Sequence, residues 1–125
     1  MGNGSDSGQV ILVVEDEGSI RRLAARALQR AGYEVLEARS GAEAIEIANE
    51  QAGGIDLVLI DMVMPEMSGP EVCDQLREHW PEVRLLYTSG YTELTGREDI
   101  AFLRKPFTAR QLLDVVCRAL KVPAA

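Results

Sequence analysis

No apolar run in this sequence approaches the roughly 18 residues that a membrane-spanning helix needs. Basic charge is also scarce. Thirteen Lys and Arg stand against 20 Asp and Glu, for a net charge of −7. A domain that grips a nucleic-acid backbone carries a basic face, so no direct nucleic-acid partner is expected. Cysteine is limited to Cys73 and Cys117, far apart and without a CxxC pair. They read as small core residues of a reduced, cytosolic protein. No G-x-x-x-x-G-K-[ST] loop is present, which argues against a nucleotide-binding module. The only histidine, His79, is expected near a helix C-terminus, where an imidazolium is favourable.

The first eight residues (MGNGSDSG) are polar and Gly/Ser-rich, with none of the apolar core of a signal peptide. They read as a disordered lead-in or tag. Residues 9–121 read as one domain and 122–125 as a tail. Within the domain, apolar runs alternate with helical stripes. Strands are expected at Val10–Val14, Tyr33–Ala38, Asp56–Ile60, Arg84–Thr88 and Ile100–Arg104. Ile20, Leu23, Ala24, Ala27, Leu28 and Ala31 form one helical stripe that Gly32 ends. Ser40 with Glu43, and Thr108 with Gln111, have the spacing of capping boxes. Pro70 suits the first turn of another helix. Tyr91–Asp99 leaves room for only a short or irregular helix.

Strands separated by helices pair in parallel, and right-handed crossovers place helices on both faces of one sheet. The expected architecture is a doubly wound, five-stranded α/β domain. In such a sheet, ligands bind at the C-terminal edge of the strands. Glu15, Asp16 and Glu17 follow the first strand, Asp61 follows the third, and Lys105 follows the fifth. A single acid after a strand is often only a helix cap. Two acidic groups and a lysine at one edge suggest a site with oxygen-only ligands, suited to Mg²⁺. A carboxylate beside such a metal and a lysine can attack phosphorus and form an acyl phosphate.

The segments ILVVEDE, IDLVLIDMVMPEMSG, YTSGYT and FLRKPF together resemble the receiver domains of two-component response regulators. The likeness covers residues 9 to 121. It implies a flavodoxin-like strand order 2-1-3-4-5 and a module that switches a protein-interaction surface on phosphorylation. By position, Asp61 is the implied phospho-acceptor. Glu15, Asp16, Asp61 and the Val63 carbonyl are the implied Mg²⁺ ligands, and Lys105 is the implied phosphoryl partner. The resemblance also implies a cis Lys105–Pro106 bond. Gly69 suits a turn with positive φ.

Counting forward from Pro81, and placing small Gly90 just after the hydroxyl, selects Ser89 over the adjacent Thr88 as the sensing hydroxyl. An ordinary strand-end turn is the alternative for both. Phe102 occupies the switch aromatic's position and reads equally as a core phenylalanine. The phosphate donor is expected to be a partner histidine kinase or histidine phosphotransfer domain. SGYT and FLRKPF look like receivers of hybrid sensor histidine kinases. The Ser89–Lys105 interval is shorter than usual for the family, which puts the usual output face in doubt. No DNA-binding segment follows, so output is expected through protein contacts or another domain of a longer chain. Val63 and Tyr91, two beyond the acceptor and two beyond the hydroxyl, offer no strong base for water, so slow phosphate loss is expected. An aspartyl-phosphate phosphatase on a similar sheet is the alternative reading. Such enzymes carry a second aspartate where this chain has Val63, so the module is expected to catalyse only its own phosphorylation and slow dephosphorylation.

Overall fold

The computed structural model describes residues 8–90 and 101–121. Its elements run β1 (Val10–Val14), α1 (Gly18–Arg30), β2 (Glu34–Ala38), α2 (Gly41–Glu50), β3 (Leu57–Asp61), α3 (Gly69–His79), β4 (Arg84–Ser89), β5 (Ala101–Arg104) and α4 (Ala109–Lys121). The expected irregular helix at Tyr91–Asp99 lies outside the described residues. Among those residues, no helix is long and apolar enough to cross a membrane.

All pairings are parallel, in the order β2-β1-β3-β4-β5. Because β1 and β3 are inner strands covered on both faces, their sequences are nearly all apolar, and Ile11–Val14 and Leu57–Ile60 are buried. Strand alternation sorts their side chains into two cores. Leu12, Val14, Val58, Ile60, Leu85 and Tyr87 pack with Ala44 and Ala48 of α2 and Val72 and Leu76 of α3. Ile11, Val13, Leu57, Leu59 and Leu86 pack with Ala24 and Leu28 of α1 and Leu112 and Val116 of α4.

The buried face of α1 keeps Ala24, Ala27 and Leu28 of the expected stripe but loses Leu23 and widens toward Arg21 and Ala25. Leu23 is 56% exposed, while Arg21 and Ala25 are buried with Ala24 and Leu28. Apolarity alone hid this, because a charged residue occupies part of the inward face. Gly32, at φ +102, ends the helical stretch as expected. The Thr108–Gln111 box forms in both directions at the start of α4. At α2, Glu43 N–H donates to Ser40 Oγ, but the Glu43 carboxylate accepts from Arg39 N–H, one residue earlier than a standard box. A full box that sequence reading passed over, Ser68 with Glu71, opens α3 beside Pro70.

Candidate functional site

Asp61 is the last residue of β3 and does not follow the strand as expected, so the ladder itself fixes its backbone. Met62 N–H donates to Thr88 O just beyond it, at 2.9 Å. β1 ends one residue before Glu15, whose N–H donates to Ala38 O on β2 at 3.1 Å. Since β1 and β3 are neighbours, their acids meet. Glu15, Asp16 and Asp61 each offer an oxygen within 4.8 Å of the others. Glu15 and Asp61 are buried and Asp16 is exposed, so the cluster opens to solvent on one side.

Lys105, just past β5, reaches the same place. Its Nζ lies 2.8 Å from Glu15 Oε1 and 3.1 Å from Asp61 Oδ2. The backbone arrives there because Lys105 N–H donates to Ser89 O at 2.8 Å, and the following Lys105–Pro106 bond is cis, as expected. Val63 N–H donates to Asp61 Oδ1 at 3.1 Å, and Glu17 N–H donates to Glu15 Oε2 at 3.2 Å.

Burial pushes the Glu15 carboxyl above the usual carboxylate range, and the Asp61 charge pushes the same way. Hydrogen bonds from Lys105 and the Glu17 N–H offset part of that rise. Burial alone would lower the Lys105 ammonium's pKa. Its hydrogen bonds to Glu15 and Asp61, and their charges, more than offset this and hold it above the ordinary lysine value. Three carboxylates therefore face one firmly protonated lysine, and the excess negative charge calls for a further cation. The donors are all hard oxygens and few in number, a set that fits Mg²⁺ with part of its water shell retained.

Gly69 is required for a different reason than the one expected. Its φ is not in the left-handed region; a Cβ there would lie 2.6 Å from Asp61 O and 2.9 Å from Met62 Cα. The start of α3 thus presses against the backbone that carries Asp61. Gly90, by contrast, would admit a Cβ with nothing among the described residues within 4 Å.

Thr88 and Ser89 are both buried but diverge by strand alternation. Thr88 has the parity of Leu86, and it lines a small internal cavity with Glu15, Ile20 and Phe107. Ser89 has the parity of Tyr87, whose register partner on β5 is Phe102. Phe102 is half-buried and packs against the core on the α2–α3 side. The hydroxyl and the aromatic therefore share a side of the sheet. His79 is exposed on α3, with its ring 5.5 Å from that of Trp80 and Nδ1 3.3 Å from Gln75 O. Tyr91 lies outside the described residues.

Arg21 was not anticipated. Its Nη1 donates to the Glu15 carbonyl at 2.9 Å and its Nε to Glu37 Oε1 at 3.1 Å. The sequence signal was faint: an arginine one residue off an apolar stripe, with a glutamate on the next strand.

Residues 11–117 match the family model described as the response regulator receiver domain. The chain is 43% identical over 117 residues to the sensor kinase CckA of Brucella abortus, covering 89% of this chain and 12% of that protein. It is 33% identical to the response regulator receiver protein CpdR of the same organism, covering 88% of this chain and 95% of that one. Against the transcriptional regulatory protein YrkP of Bacillus subtilis it is 36% identical, over 82% of this chain and 45% of that protein. The chain thus spans a small part of the first relative, under half of the last and nearly all of CpdR. Among solved structures, the receiver domain of the hybrid histidine kinase CckA superposes with a TM-score of 0.80 at 42% identity, covering 90% of this chain and 99% of that one. The chemotaxis response regulator CheY4 of Vibrio cholerae gives 0.82 at 29% identity, covering 90% of this chain and 99% of that one.

Proposed function

The chain belongs to the response regulator receiver family, and from that membership we propose that Asp61 accepts a phosphoryl group in a Mg²⁺-dependent reaction. The donor is a phosphohistidine on a histidine kinase or a histidine phosphotransfer domain. The observation that carries the reading is the convergence of Glu15, Asp16, Asp61 and Lys105, from three strand ends, at one partly open pocket. His79 sits at the far end of α3, so the donor imidazole belongs to another protein or domain.

In the reaction, a carboxylate oxygen of Asp61 forms a bond to phosphorus. The phosphorus–nitrogen bond of the donor breaks, and the imidazole nitrogen leaves with the electron pair. The Asp61 backbone is fixed by the β3–β4 ladder, so its side chain is positioned before the donor arrives. Lys105 holds a positive charge at the carboxylate, where it neutralises phosphoryl oxygens as their charge shifts. Glu15, Asp16, Asp61 and the Val63 carbonyl would hold Mg²⁺, which when bound supplies the remaining charge neutralisation. Ser89 then hydrogen-bonds the new phosphoryl group, and its displacement is felt by Phe102 on the same side of the sheet. The result is a shift between two states of a protein-interaction surface.

The likeness to CckA supports a place in a hybrid sensor kinase. The match to nearly the full length of CpdR equally supports a free-standing receiver. Cys73 and Cys117 form no disulfide, which fits a reducing cytoplasm. Acetyl phosphate in the presence of Mg²⁺ tests the chemistry. The expected product is a single hydroxylamine-sensitive acyl phosphate whose formation EDTA abolishes. Labelling that survives both EDTA and hydroxylamine would refute it.

A further inference from the structure

We propose that Arg21 is a positioning residue that holds the Glu15–Asp16 peptide in the orientation Mg²⁺ binding requires. This rests on the phospho-acceptor reading above. Arg21 is only 8% exposed, on the face of α1 that otherwise buries Ala24, Ala25 and Leu28. A guanidinium in such a place is costly unless it is well paired, and an alanine or leucine would pack there without that cost. Its two bonds show what it does there. Glu37 on β2 fixes Nε, and Nη1 is thereby aimed at the Glu15 carbonyl.

That carbonyl belongs to the peptide unit whose nitrogen is Asp16's. The same residue is held on its other side by the Glu15 N–H bond to Ala38 O. With both backbone groups of Glu15 tied, the plane of the Glu15–Asp16 peptide is set, and with it the direction in which Asp16 leaves the backbone. The Asp16 side chain is exposed, so the backbone, more than surrounding packing, decides where its carboxylate points. Planar, two-pronged geometry is what lysine lacks, so charge alone does not reproduce the arrangement.

The test is a MgCl₂ titration of the full chain, following the Asp16 and Glu17 backbone amides by NMR, paired with acetyl phosphate labelling rates across Mg²⁺ concentrations. Arg21→Met is expected to raise half-saturating Mg²⁺ about tenfold, the usual scale for losing a group that orients a metal ligand. At saturating Mg²⁺ its labelling rate stays within about threefold of wild type, because Asp61 and Lys105 are untouched. Arg21→Lys keeps the charge and remains clearly weaker than wild type for Mg²⁺. Glu37→Ala, at an exposed position, loosens the guanidinium without emptying the helix face, and also weakens Mg²⁺ binding; it carries the test if Arg21→Met does not fold. Unchanged half-saturation in a folded Arg21→Met, or in Glu37→Ala when that variant stands in for it, or full rescue by Arg21→Lys, would overturn the proposal while leaving Asp61 as acceptor. A wild type that neither binds Mg²⁺ nor is labelled would overturn both.

Discussion

Lys105 Nζ lies 3.1 Å from Asp61 Oδ2, although 44 residues separate them in the chain. The contact exists because β3, β4 and β5 end at one edge. Ser89 O takes the Lys105 N–H, and Thr88 O takes the Met62 N–H, so a single β4 terminus places both partners. Lys105→Met removes the cation but keeps the stem. It leaves the Glu15 carboxylate buried without its partner, at a cost of about 1–3 kcal/mol. Urea unfolding in EDTA at neutral pH is expected to show this loss, together with a strong fall in acetyl phosphate labelling. An unaltered midpoint would mean that solvent already screens the pair.

Gly69→Ala places a methyl group 2.6 Å from Asp61 O. Backbone atoms cannot swing aside as a flexible side chain can, so the start of α3 or the end of β3 must shift. The expected destabilisation is about 1–3 kcal/mol by chemical denaturation. Ser68→Ala, one residue earlier, loses only the cap of α3, about 1 kcal/mol, and leaves labelling of Asp61 unchanged. Equal effects of the two substitutions on labelling would show that Gly69 has no special bearing on Asp61.

Most of the sheet was legible from the chain, because each inner strand is a short apolar run bounded by polar turns. The acids and Lys105 were legible for the same reason: a charge directly after such a run can only sit at the strand's end. Three features were not. Arg21 disguised the inward face of α1, since a buried cation contradicts the apolar pattern it completes. The role of Gly69 is a contact between segments that no local spacing encodes, so a left-handed turn was expected in place of a close approach. Ser68 and Glu71 have the spacing of a capping box, but Pro70 between them already marks a helix start without it.

Ser89→Ala is expected to slow labelling about tenfold, the loss of one hydrogen bond to a charged group, and to uncouple Phe102 from phosphorylation. Thr88→Ala is expected to act mainly on stability, because Thr88 faces the interior cavity beside Glu15. NMR shifts of the Phe102 ring before and after labelling separate the two. A phospho-dependent Phe102 shift that survives Ser89→Ala but vanishes in Thr88→Ala would reassign the hydroxyl.

Phosphate is expected to leave Asp61 slowly. Val63 is 55% exposed two residues past Asp61 and has no group to activate water, and Tyr91 supplies no strong base either. Decay of the acyl phosphate in purified protein with Mg²⁺ should extend over minutes or longer, and Val63→Glu should accelerate it. Loss within seconds in the unmodified protein would point to a base elsewhere.

Intact-mass spectrometry after incubation with acetyl phosphate and Mg²⁺ tests the central assignment most directly. Wild type is predicted to gain the mass of one phosphoryl group, and Asp61→Asn none. Equal labelling of the two proteins, or no labelling of wild type, would contradict it.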